Sequence, residues 1–198
     1  MTVASRGVLI ALVLAGMWFS LRAVVVAQSD AVRPEASAWA VPRSGNALTA
    51  LAAQRIVAQD GAIDAPARAL IADAMARVPA AGQPLALAGL AASAGGDLPR
   101  ATQLMETARR RAPRFPLARN WLLNEYARTA RYDAALDEAG ALMRLAPETR
   151  PQVYVLIAAM AARADAAPAV RRALARQPDW AEPYAAWARA QKQANAST

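Results

Sequence analysis

Neither cysteine nor histidine occurs in this sequence of 198 residues. Their absence excludes disulfide bonds, metal sites built on thiolate or imidazole ligands, and haem held by either side chain. It also leaves hydroxyl side chains such as Ser93 and Thr102 without an imidazole to activate them. We therefore expect no catalytic residue of these kinds, no cofactor and no metal.

Carboxylates are the remaining candidates for acid–base chemistry. Asp133, Asp137 and Glu138 lie at helical spacing, and we interpret them as acids in the first turn of a helix, where they offset the helix dipole. We interpret Gly95-Gly96-Asp97 as a turn between helices, because no Gly-Lys-Ser/Thr sequence follows it. The sequence predicts a protein that is not an enzyme; a hydrolase using the three acids is the alternative.

Aromatic residues are scarce, at 6%, although hydrophobic residues make up 56% of the chain. Alanine supplies much of that hydrophobic fraction. It is the best helix former and fills little space. The composition therefore predicts an all-α protein of slim, closely packed helices.

Acidic residues number 15 against 23 basic ones, so the net charge is +8, and Lys192 is the only lysine. We expect the arginines to lie near helix ends, where cations offset the dipole. The alternative is a basic surface for an anionic partner: a membrane surface, an acidic glycan or an acidic protein. The densest group is Arg109, Arg110, Arg111 and Arg114, and a second comprises Arg171, Arg172 and Arg176.

The N-terminal segment carries the longest uncharged run, from Gly7 to Leu21. Residues 7–27 form a stretch interrupted only by Arg22, and as a helix they would span about 31 Å, the thickness of a bilayer core. We predict that residues 1–27 are a membrane anchor. The alternative is a signal peptide cleaved near Ala27, because small residues precede that position.

The orientation of this anchor follows from its short N-terminal tail. Six residues precede the apolar run, and such a tail normally stays in the cytoplasm. We therefore predict a single-pass protein of a bacterial inner membrane with its C-terminal domain in the periplasm, and no nucleic acid as partner. Arg22, Arg33 and Arg43 argue for the opposite orientation under the positive-inside rule.

An internal period follows a linker at residues 28–47, which is rich in proline and serine. Pro79, Pro113 and Pro147 are 34 residues apart. Proline ends a helix, and alanine permits a close helix crossing. We therefore predict two-helix units over residues 48–198. Each of these prolines follows an alanine by twelve residues and a small or aliphatic residue by five: Ala67, Ala101, Ala135, and Ala74, Ala108, Leu142.

The period and its residues resemble the tetratricopeptide repeat (TPR) superfamily. The best unit runs from Pro116 to Glu148, and the unit starting at Leu48 is the most degenerate. The unit from Arg150 is three residues short, which we place at the turn near Asp165. The resemblance implies a right-handed α-solenoid of about three and a half helix pairs; an unspecialised helical bundle is the alternative. The best unit keeps the usual Leu, Tyr, Ala and Pro at Leu122, Tyr126, Ala135 and Pro147.

The resemblance also implies a partner groove lined by the first helix of each pair. Asparagine can bond both backbone groups of an extended peptide, and arginine can hold a carboxylate. The lysines of the family's carboxylate clamp are absent, and a merely solvated face is the alternative. The positions that correspond to the groove are Gln83, Leu90, Leu117, Asn120, Asn124, Arg128 and Tyr154.

These features together predict a membrane-anchored scaffold that binds a protein or peptide partner. The resemblance extends to anchored TPR proteins of envelope or exopolysaccharide assembly, and to periplasmic accessories of cytochrome c maturation. A second hypothesis is a factor that binds acidic glycans through the basic surface around Arg109–Arg114.

Overall fold

The computed structural model describes residues 45–196, and this part of the chain holds nine α-helices and no β-strand. The expected all-α class is confirmed. The predicted anchor and most of the predicted linker lie outside these residues. Among residues 45–196 no helix has both the length and the apolar character to cross a membrane. The helices are α1 (Gly45–Ala58), α2 (Ala65–Arg77), α3 (Gly82–Ala94), α4 (Leu98–Arg111), α5 (Pro116–Arg128), α6 (Tyr132–Leu145), α7 (Arg150–Ala161), α8 (Ala167–Ala175) and α9 (Ala181–Ala196).

Two compact units divide the chain between Trp121 and Leu122. The first unit contains α1 to α4 and the start of α5, and the second contains the rest. Helix α1 begins at Gly45, so the last three residues assigned to the linker are helical. A 3-10 turn, Pro147–Thr149, joins α6 to α7.

Helices α1 and α2 form one antiparallel pair in the first unit, and α3 and α4 form another. A Cβ built on Gly45, at the start of α1, would lie 2.6 Å from a methyl group of Val78, the C-cap of α2. A Cβ built on Gly82, at the start of α3, would lie 2.5 Å from that of Ala112, the C-cap of α4. In each pair the beginning of the first helix therefore contacts the end of the second.

The second helices of three successive pairs end in the same way. Helices α2, α4 and α6 stop at the C-caps Val78, Ala112 and Ala146, with φ/ψ of −129/63°, −129/71° and −137/76°. Each C-cap precedes a proline, whose ring disfavours the helical conformation in the residue before it. The 34-residue spacing of the prolines thus recurs in the backbone as a 34-residue spacing of helix ends.

Alanines at the predicted crossing positions are fully buried. Ala67, Ala101 and Ala135 have 0% exposure, and Ala74, Ala108 and Leu142 at most 1%. The N–H of each C-cap donates to the carbonyl of Ala74, Ala108 or Leu142, so these residues also complete the helix ends. Helix α3 approaches α4 so closely that a Cβ on Gly89 would lie 3.0 Å from the side chain of Met105. The prediction of small residues in the core of each pair is confirmed.

The fourth pair, α7 and α8, is shortened in its second helix, so the placement of the missing residues at the turn near Asp165 was wrong. The turn at residues 162–166 is longer than the turns at 95–97 and 129–131. Helix α8 has 9 residues, whereas α4 and α6 have 14 each. Aromatic rings join α7 to α9: the ring of Tyr154 lies 5.7 Å from those of Tyr184 and Trp187.

Candidate functional site

Helix α5 carries the row of residues predicted for the partner groove. The spacing places Leu117, Asn120, Asn124 and Arg128 along one face of the helix. Exposure rises along this row: Leu117 is 1% exposed and Asn120 8%, Asn124 is half-buried and Arg128 is exposed. Leu117 therefore packs in the core and does not line a surface. Asn124 and Arg128 are the accessible end of the row, which we call the α5 row.

The guanidinium of Arg128 is held by a buried carboxylate. Its Nε donates to Oε2 of Glu125 at 2.8 Å and its Nη2 to Oε1 at 2.7 Å. Glu125 is 9% exposed, and this bidentate pair raises the pKa of Arg128. The pair fixes the direction of the arginine while half of its side chain stays exposed. Sequence reasoning missed Glu125, although a spacing of three residues in a helix is itself a signal for such a pair.

The other predicted groove residues do not join the α5 row. Leu90 is 4% exposed and packs within the first unit. Tyr154 is 6% exposed and belongs to the aromatic contacts of the second unit. Gln83 is half-buried at the start of α3. Leu90 and Tyr154 are thus packing residues, and their prediction as groove lining is not supported by their burial.

The predicted basic surface lies at the end of α4. Arg109, Arg110 and Arg111 occupy its last turn, as expected for cations near a helix C-terminus. Nη2 of Arg110 donates to Oγ1 of Thr107 at 2.9 Å, and Nη1 of Arg111 donates to the carbonyl of Pro79. Arg114 follows in the segment between α4 and α5 and is exposed. The second group lies in the same kind of place, with Arg172 in the last turn of α8.

An open cleft of about 450 Å³ lies beside this basic surface, entirely within the first unit. Its lining includes Gln83, Arg111, Pro113, Arg114 and Phe115. We call it the Arg111–Arg114 cleft. The sequence analysis assigned Gln83 to one surface and the two arginines to another. Only the packing of α3 against the end of α4 brings them together, and no local sequence signal marks that contact.

The side chains considered for catalysis have structural contacts. Asp133 lies in the first turn of α6, as expected, and its Oδ2 is 2.7 Å from Nη2 of Arg172. Asp137 and Glu138 lie beyond that turn, so their assignment to it was wrong, and Glu138 is buried at 2% exposure. The Oγ of Ser93 accepts from the indole N–H of Trp121 at 3.3 Å, and the hydroxyl of Thr102 donates to the carbonyl of Leu98.

Two aspartates have strongly lowered pKa values, each because of an arginine partner. Arg55 holds Asp64, and the N–H of Ala67 donates to the same carboxylate, so the pKa of Asp64 falls to about 2. Arg163 and the hydroxyl of Tyr132 both donate to Asp165 and hold its pKa far below the usual range. Both carboxylates are thus poor proton carriers near neutral pH. Among residues 45–196, no three acidic side chains are grouped so as to hold a metal ion.

Comparison with known proteins returns no relative. No protein-family model, no curated protein and no solved structure matches the chain.

Proposed function

We propose that this protein is a binding scaffold: a membrane-anchored, TPR-like helical repeat that holds a protein partner in the bacterial periplasm. In this proposal, residues 7–27 form the anchor and the helix pairs form a right-handed solenoid. The observation that carries it is the recurrence of one C-cap conformation at Val78, Ala112 and Ala146, 34 residues apart. A repeat of identical helix pairs presents rows of side chains at regular intervals, which suits recognition of another chain.

The accessible part of the α5 row gives this proposal its recognition chemistry. The amide of Asn124 can bond an N–H and a C=O of an extended backbone. Arg128 is already oriented by the buried carboxylate of Glu125, so little side-chain entropy is lost when a partner contacts its outer edge. A partner carboxylate would share that guanidinium with Glu125, whereas a backbone carbonyl would bond it without repulsion. We therefore favour contact with a backbone carbonyl at this position.

Capture from the native membrane tests the proposal. The full chain is tagged at its C-terminus and cross-linked in intact cells, and the bound proteins and the mature N-terminus are identified by mass spectrometry. We expect one stoichiometric partner, recovered about tenfold less with Asn124→Ala or Arg128→Ala. The matched control is Arg77→Ala, an exposed arginine in the last turn of α2.

The outcomes separate the parts of the proposal. No stoichiometric partner would contradict the binding role. A partner that both α5 variants recover fully would remove the α5 row from the account. A mature chain that starts after Ala27 would establish the cleaved periplasmic form in place of the anchored one.

A further inference from the structure

The Arg111–Arg114 cleft combines two positive groups with an amide and apolar surface in one small concave site. Arg111 and Arg114 supply the charge, Gln83 the amide, and Pro113 and Phe115 the apolar lining. No acidic residue lines the cleft. Five arginines and no acidic residue lie between Glu106 and Glu125 along the chain, so the local potential favours an anion.

Donor capacity is available at both guanidinium groups. Arg111 uses Nη1 to bond the carbonyl of Pro79, and an arginine carries five N–H donors in all. Arg114 forms no hydrogen bond or ion pair with any residue in the range 45–196. A carboxylate entering the cleft can therefore accept charge-assisted bonds without first breaking an ion pair.

The walls of the cleft are held in place by backbone packing. Gly82 precedes Gln83 at the start of α3, where a Cβ would lie 2.7 Å from the carbonyl oxygen of Ala108 and 2.8 Å from the nitrogen of Ala112. Pro113 restricts the chain that leaves α4. Because both walls are fixed before binding, a ligand loses less free energy to ordering the site.

We propose that this cleft binds an acidic peptide segment, in which a carboxylate side chain lies beside an apolar one. The carboxylate is held by Arg111 and Arg114, the apolar side chain packs on Phe115 and Pro113, and the amide of Gln83 bonds the peptide backbone. The inference deepens the proposed function and rests on it, since it describes the chemistry of a protein partner.

The neighbouring arginines favour a peptide over a long polyanion such as an acidic glycan. A polyanion gains affinity from many phosphate or carboxylate contacts along an extended track. Here Arg110 is bonded to Thr107, and Nε of Arg119 donates to the carbonyl of Pro113. Two guanidinium groups at a cleft of about 450 Å³ suit one or two acidic side chains instead.

Fluorescence anisotropy with a defined probe tests the inference. The full chain in a non-ionic detergent is titrated into the labelled, C-terminally amidated peptide Gly-Asp-Phe-Asp-Leu-Gly. We expect Arg114→Gln to weaken binding about tenfold, as expected for a lost hydrogen bond to a charged group. The same peptide with asparagine in place of both aspartates should bind equally weakly. The matched control is Arg110→Gln, which removes the same charge outside the cleft lining and should change affinity less than about twofold.

Three results would overturn the inference. Equal losses in Arg110→Gln and Arg114→Gln would show a diffuse charge effect, and an unchanged Kd with Phe115→Ala would remove the apolar contact. Polygalacturonate that binds more tightly than the peptide and depends on Arg114 would show a glycan site. The capture experiment separates the two proposals: a native partner lost with Asn124→Ala but retained with Arg114→Gln leaves the scaffold role standing and contradicts the cleft.

Discussion

Gly82 offers the sharpest test of how closely the helices of a pair approach each other. Replacing it with alanine introduces a Cβ that would lie 2.5 Å from the Cβ of Ala112, 2.7 Å from the carbonyl oxygen of Ala108 and 2.8 Å from the nitrogen of Ala112. Two of these three atoms belong to the backbone, so no rotamer change relieves the overlap. Helix α3 must move away from α4.

The expected magnitude follows from two opposing effects. Alanine is favoured over glycine in a helix by up to about 1 kcal/mol, but less at a first helical residue. Overpacking that requires a backbone shift costs about 1–3 kcal/mol. We expect Gly82→Ala to lower the free energy of unfolding by about 2 kcal/mol. Gly95→Ala is the matched control because its Cβ would lie 3.4 Å from the nearest atom, with φ of −81°. It should be neutral or stabilising by up to about 1 kcal/mol.

Urea unfolding followed by helical circular dichroism measures both free energies. Hydrogen exchange of peptides from α3 and α4 shows whether the loss is local to that pair. The double variant Gly82→Ala with Ala112→Gly should recover only part of the loss, because the contacts with the carbonyl of Ala108 and the nitrogen of Ala112 remain. A Gly82→Ala protein as stable as Gly95→Ala would refute the close approach of α3 to α4.

Three further predictions concern the core, one carboxylate and the first helix pair. Leu142→Ala should lower the free energy of unfolding by about 2–5 kcal/mol, because Leu142 is fully buried, whereas Leu145→Ala, at 37% exposure, should cost less than about 1 kcal/mol; equal urea midpoints would contradict the packing of α6. The pKa of Asp64 is lowered from 3.8 to about 2 by its bonds to Arg55, so its stabilisation is complete above its unfolded pKa and is lost as the pH falls through this range. Asp64→Asn should remove that part of the acid dependence of urea unfolding, and an unchanged dependence would show that the bond to Arg55 is not maintained in solution. Amides of α1 and α2 should exchange faster than those of α3, since α2 buries three residues and α3 seven; greater protection in α2 would be the opposite of this expectation.

The sequence predicts those features of the fold that depend on local chemistry. Proline lacks an N–H and restricts the residue before it, so Pro79, Pro113 and Pro147 mark three helix ends directly. Buried alanines such as Ala101 follow from the same period. The shortening of α8 could not be located, because a period counts residues and does not say whether a turn or a helix has lost them.

The candidate sites were less predictable because they depend on contacts between distant residues. The pair of Arg128 with Glu125 is local and visible as a three-residue spacing, but Arg128 was interpreted only through its position in a resembled repeat. The meeting of Gln83 with Arg111 and Arg114 requires the start of α3 to pack against the end of α4. The burial of Glu138 is likewise a property of the packed helices, since its sequence neighbour Asp137 is exposed.

The shared backbone geometry at Val78, Ala112 and Ala146 makes the length of the repeat a modular quantity. Removing residues 79–112 would join Val78 to Pro113, and the new junction would pair a C-cap conformation with the same following residue that it has now. Duplicating those 34 residues would likewise create only junctions that the chain already contains. Unequal recombination, or a protein engineer, can thus add or delete a whole helix pair without designing a new connection.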